Sequence, residues 1–138
     1  MRNMTVEFPD RLLIEQLDDV WVMGIADFRI VVKEEGQPDY VITVPAGRKS
    51  DYASVPKIPG PYELYGGKGK KPAYGHDYTY SPEFDPNKSR KWCDAVFHHG
   101  LIAIGMSQED ADAMYAGVRV GGESHWEKNS AYPVITAP

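Results

Sequence analysis

The chain reads as an α+β fold: N-terminal antiparallel β-hairpins forming a small sheet, packed by about three C-terminal helices, with a long ordered loop between. Three observations predict this. β-branched and aromatic runs fill the first third, proline and glycine crowd residues 45–72, and beyond residue 73 apolar residues recur at three- and four-residue steps. Strands that precede helices, rather than alternating with them, place the chain in the α+β class. The 138 residues amount to one domain with four parts: 1–46 β-rich, 47–72 loop, 73–121 helical and 122–138 an extended tail.

Taken in order, residues 8–17 supply one strand, since the short apolar runs MTVEF and RLLIEQL are split by Pro9 and Asp10. Residues 20–32 (VWVMGIADFRIVV) and 40–44 (YVITV) are two β-rich runs joined by the turn-forming EEGQPD, the pattern of a hairpin. The loop that follows holds Pro45, Pro56, Pro59, Pro61 and Pro72, with one helical turn expected at 53–57. Long loops in compact domains are often functional. A short helix is expected over 72–81. Asn87 or Ser89 can cap the next, which runs to Ile104 with Cys93, Val96, Phe97, Leu101 and Ile104 on one face. Ser107 in SQED starts a third helix as a capping-box variant, and Gly121-Gly122 ends it.

Composition narrows the function classes. The net charge of −5 repels nucleic acid unless basic residues cluster, and GGKGKK at 66–71 is the one cluster. That loop lacks the Ser or Thr which a phosphate-cradling G-x-x-x-x-G-K-[ST] requires, so it reads as a charged loop tip. No stretch approaches the roughly 20 apolar residues that span a bilayer, and the N-terminus has no signal-peptide pattern. One cysteine, Cys93, excludes an internal disulfide. The expected setting is a host-cell cytoplasm or a virion assembled there.

The ordered stretches VPAGRKSDYASVP, HDYTY, SRKWCDAVF and MYAGVRVGG resemble one family, the domain of unknown function 1353, found in bacteria, phages and prophages. The resemblance covers about residues 28–121. It maps the family's strand end and loop onto Val44, Pro45, Ala46, Gly47, Asp51, Ala53, Ser54, Val55 and Pro56. The histidine-aspartate-x-x-tyrosine motif falls on His76, Asp77 and Tyr80, and a helical aspartate on Asp94. Arg48, Ser50, Thr79 and Cys93 depart from the usual aromatic, threonine, leucine and alanine. The resemblance implies a phage or prophage origin and no established activity.

The chemistry therefore has to come from the residues. His76, Asp77 and Asp51 are the candidate acid–base residues. His76, Asp51 and Asp94 are the candidate ligands of a divalent metal, zinc or manganese, which activates water at neutral pH. No other cofactor is indicated. The bland alternative is that Asp51 caps a turn and Asp94 complements a helix N-terminus. Neighbours on a helix diverge by about 100°, so His76 and Asp77 serve different shells of any site. An HD-type phosphohydrolase is excluded, because such proteins are all-helical with an upstream histidine and this chain has none before His76. Cys93 near a helix start has the position of a nucleophile, but its apolar face with Phe97 marks it as core. His98 lies four residues after Asp94, within bonding reach along one helix face. Arg119 is expected to pair with Asp112 or Glu109.

Two functions follow. The first is a non-enzymatic phage protein, a virion or assembly component or a binder of a host protein, with a structural His-Asp cluster. The second is a small metal-dependent or acid–base hydrolase using His76 with Asp51 and Asp94. The low histidine count and the lack of a complete catalytic set favour the first. Exposure of His76 separates them.

Overall fold

A computed structural model describes residues 3–52, 54–55 and 69–126. Six short strands precede three helices: β1 (Met4–Glu7), β2 (Ile14–Gln16), β3 (Val22–Gly24), β4 (Phe28–Glu34), β5 (Tyr40–Val44), β6 (Lys49–Ser50), α1 (Lys70–Thr79), α2 (Arg90–Ala103) and α3 (Gln108–Gly121). The strands form two antiparallel three-stranded sheets, ordered β1-β4-β5 and β2-β3-β6. The α+β arrangement is the one the sequence predicts.

The hairpin of residues 28–44 follows from strict alternation. Phe28, Ile30 and Val32 point into the core and face Val44, Ile42 and Tyr40 across the ladder. Val6 of β1 joins them opposite Val32. Period-two alternation puts one whole face inside, so a one-residue slip would expose it.

Residues 20–32 are not one strand. They break after Gly24 into β3 and β4, which belong to different sheets. Two tertiary contacts enforce the break. The Asp27 carboxylate accepts the Ala46 N–H at 2.8 Å, and the Gly24 N–H donates to the Arg48 carbonyl at 2.9 Å. Gly24 is also where Tyr74 comes closest: a Cβ there would sit 2.3 Å from the Tyr74 hydroxyl. Residues 8–17 likewise differ from expectation, since the first ladder ends at Glu7 and only Ile14–Gln16 pairs again, in the second sheet. The loop expected over 47–72 contributes β6, paired to β3, and the first residues of α1.

The helices lie close to their predicted spans. Ser89 caps α2 by accepting the Trp92 N–H, and Ser107 caps α3 by accepting the Asp110 N–H. Of the turn expected at 53–57, Ser54 and Val55 are described, and Val55 N–H closes a turn onto the Tyr52 carbonyl at 3.2 Å. In the tail, Glu123–His125 forms one 3₁₀ turn, and residues 127–138 lie outside the described residues.

Two apolar clusters result. One joins the first sheet to α1 and α2 through Phe28, Ile30, Tyr74, Cys93 and Val96. The other lies among the helices and includes Val55, Ala73, Phe97, Leu101 and Met114. Gly75 lets α1 lie flat on β4, since a Cβ there would sit 2.3 Å from Ile30 Cδ1. His76 is the next residue, and its ring lies against Tyr80 of one cluster and Phe97 of the other.

Candidate functional site: a sealed Ser-His-Asp chain

The site sits at the seam of the two clusters, and every surrounding element contributes a side chain. α1 brings His76 and, at its C-cap, Tyr80. α2 brings Asp94 and Arg90, the last turn of α3 brings Arg119, and the loop after β6 brings Ser54. His76 Nε2 lies 2.7 Å from Asp94 Oδ1, and His76 Nδ1 lies 3.0 Å from Ser54 Oγ. The Tyr80 hydroxyl donates to the same Asp94 oxygen at 2.6 Å. Arg119 donates to the other at 2.7 Å, and Arg90 approaches that oxygen at 3.5 Å.

Asp94 thus uses about all of the four acceptor positions a carboxylate offers. Burial raises its pKa, but the hydrogen bonds and charges from His76, Tyr80 and Arg119 outweigh burial and hold it below the ordinary carboxylate range. The Tyr80 phenol moves the other way, raised by burial and by donating to a carboxylate. An ionised carboxylate only accepts, so His76 carries its proton on Nε2. The Nδ1 lone pair then accepts a hydrogen bond from the Ser54 hydroxyl when the ring is neutral. Ser54, His76 and Asp94 form one oriented chain.

Arg90 extends the network. Besides Tyr80, it donates to the carbonyls of Val118 and Arg119 at 3.1 Å each, satisfying the end of α3. The cluster therefore fixes all three helices relative to one carboxylate.

Asp77 faces the loop instead of the ring. It accepts the Ser50 hydroxyl at 2.9 Å and the Ser54 N–H at 3.4 Å, and Ser50 in turn accepts the Tyr52 N–H at 3.1 Å. Between them Tyr52 holds φ at +59°, a left-handed conformation that costs a non-glycine residue on the order of 1 kcal/mol. Asp77 and its partners hold the loop in the shape that delivers Ser54 to His76.

Of the sequence candidates, His76 and Asp94 meet directly and Asp77 supports the loop. Asp51 is half-buried on that loop, but the loop side chain whose hydrogen bond reaches the His76 ring is Ser54. Among the described residues no group of three or more His, Cys, Asp and Glu side chains is placed to hold a metal ion. Arg119 pairs with Asp94 rather than with Asp112 or Glu109, and His98 bonds Asp112 at 2.8 Å rather than Asp94. Cys93 is buried core, its sulfur 3.8 Å from the Thr79 carbonyl. Arg48 pairs with Glu83 and lies 5.4 Å over the Tyr78 ring.

Sequence reasoning missed Ser54 as a partner of the ring, and Arg90 and Arg119 as partners of Asp94. A signal existed for Ser54: a small polar residue between Ala53 and Val55, in a stretch otherwise apolar enough to be buried. Arg90 also had one, its place four residues before Asp94 on the same helix; nothing local marks Arg119.

A family model described as "Protein of unknown function (DUF1353)" matches residues 26–118. The chain belongs to that family. The matched span contains every member of the cluster except Arg119, which is the next residue beyond it. No curated protein and no solved structure matches the chain. No helix among the described residues is long and apolar enough to cross a membrane.

Proposed function

We propose that the protein is a non-enzymatic phage or prophage component, a virion or assembly part or a binder of a host protein, in which the His76–Asp94 cluster is a structural lock. The observation that supports this reading is burial. The side chains of His76 and Asp94 are 0% exposed, and Ser54 as a residue is 1% exposed. Side chains enclosed to that degree are poorly placed to meet a substrate, whereas a lock works best where water cannot compete for its hydrogen bonds. The partner-binding side is supported by a second feature. Leu17, Val20, Trp21 and Ile25, around the β2–β3 hairpin, are 40–57% exposed, and clustered apolar surface of that kind marks partner contacts. A patch at Trp126 and Tyr132 would have supported the same reading, but Trp126 is half-buried against Tyr80. Tyr132 lies outside the described residues.

His76→Ala tests the lock. It leaves Ser54 and one Asp94 oxygen short of a partner in the interior, costing about 1–3 kcal/mol for the unsatisfied groups alone. Thermal unfolding is expected to show a lower Tm. Elemental analysis of protein prepared without a histidine tag is expected to give no stoichiometric metal that His76→Ala or Asp51→Asn removes. A bound zinc or manganese lost in both variants, with Tm unchanged, would sink the lock, make this a metal site and direct the work to a hydrolase screen.

One observation favours a second reading, an acid–base hydrolase. The Ser54–His76–Asp94 chain has the donor order of an activated hydroxyl, with the carboxylate orienting the imidazole and the free lone pair facing the serine. A fluorophosphonate probe checks it. Ser54 Oγ would bond to phosphorus, fluoride would leave, and the hydroxyl proton would pass to His76 Nδ1. The lock predicts no adduct. A Ser54 adduct absent from His76→Asn would favour the hydrolase.

A further inference from the structure

A groove far from the lock has a different chemistry. It runs between the segment before β2 and the start of α1, has a volume of about 700 Å³, and closes against Ile104 at the end of α2. Leu13, Ile14 and Ile104 supply apolar wall, and Arg11, Lys70 and Lys71 supply three cations. Among the described residues the groove is lined by no carboxylate, and none of the three cations forms an ion pair. Asp10, whose carboxylate feels Lys71, is engaged by the Arg29 guanidinium at 2.7 and 3.0 Å.

Such a gathering is unexpected on electrostatic grounds. The chain carries −5 overall, yet three like charges share one concavity without an anion. α1 adds to the same field: its N-cap is Gly69, no side chain caps it, and its first turn holds no acidic residue. Concave sites of this size are the ordinary dimension for a small ligand. The cations select a negative head group, and the apolar wall selects a chain behind it.

We propose that this groove binds a single-chain anionic amphiphile, with its carboxylate, sulfate or phosphate head on Arg11, Lys70 and Lys71 and its hydrocarbon along Leu13, Ile14 and Ile104. The groove is concave, so it takes a monomeric chain rather than a flat bilayer surface. The inference is independent of whether the buried cluster is a lock or a catalyst.

The test is calorimetric titration of the full chain with monomeric dodecyl phosphate, followed by NMR amide shifts. Saturable binding is expected, with shifts at residues 11–14, 70–71 and 104. Lys70→Glu/Lys71→Glu is expected to weaken it at least about tenfold, and raised salt is expected to weaken the wild type, because the head-group attraction is screened. Acidic residues at a helix start favour the helix, so this variant stays folded and its loss of binding is not unfolding. Ile104→Glu is the second variant and removes the chain contact. Four results would each overturn the proposal: no binding of dodecyl phosphate, equal binding of neutral dodecyl maltoside, equal binding of inorganic phosphate, or binding only to anionic phosphatidylglycerol vesicles. The last two would mean an anion site without a chain, or a membrane surface.

Discussion

Replacing Asp94 with alanine is expected to destabilise the protein by about 3–5 kcal/mol, the range for breaking a buried ion pair by removing one partner. The carboxylate receives His76, Tyr80 and Arg119 at 2.6–2.7 Å and has no exposure of its own. Its removal leaves a phenol, an imidazole and a guanidinium facing each other without an acceptor. For a domain of this length the loss corresponds to a fall in Tm of roughly 10–20 °C, measurable by circular dichroism. Asp94→Asn should cost less, because the amide oxygen still accepts from one side. Arg119→Ala should cost less again, since that side chain is 31% exposed and its partner keeps Arg90 nearby. A drop for Asp94→Ala no larger than for Arg119→Ala would show that the carboxylate is not the hub of the cluster.

The same residue has a pH signature. The folded pKa of Asp94 lies below its unfolded value. Its contribution is therefore complete above the unfolded value of about 3.9 and is lost as pH falls through the lower, folded one. Stability measured from pH 6 downward should fall below about pH 4, and the fall should be shallower in Asp94→Asn. Asp10, Asp18 and Asp112 also have lowered pKa values and act in both proteins, so the difference between the two curves isolates Asp94.

Phe97→Ala is the second large effect, at about 3–5 kcal/mol. The ring lies between the two apolar clusters and touches His76. It lines two small voids of about 10 Å³ each, one with Val55, Leu101, Met106 and Met114, the other with Ile30, Cys93 and Val96. Removing the ring merges them into one cavity, and the cost of a core truncation grows with the cavity left behind. An apolar cavity of that kind stays dry and takes small aromatic molecules, so benzene is expected to raise the Tm of Phe97→Ala and leave the wild type unchanged. A small loss of stability with no response to benzene would mean that the helices close over the gap.

How far these sites were legible before folding differs residue by residue. His76, Asp77 and Asp94 stand out because ionisable residues in apolar helical stretches need a reason to be there, and the helices holding them announce themselves by period and by Ser89 and Ser107. The hairpin of residues 28–44 is equally plain, since alternation is a local property. The split of residues 20–32 was hidden, because its cause is Ala46 and Arg48 binding back across the chain. Ser54 was hidden as a partner for the same reason: its apolar surroundings hint at burial, but they do not say that an imidazole 22 residues away will meet it.

Taken alone, the sequence determined the α+β class, the three helices, the Ser107 cap, the hairpin, the family resemblance and the candidates His76, Asp77 and Asp94. All of these rest on interactions within a few residues or on patterns along one element. Only the tertiary structure decided that the strands divide into two sheets, that Arg119 serves Asp94, that Asp77 shapes the loop while Ser54 meets His76, and that the chain of donors is buried. Burial and pairing are properties of the assembled elements, set by which faces pack together, and no window along the chain contains both partners.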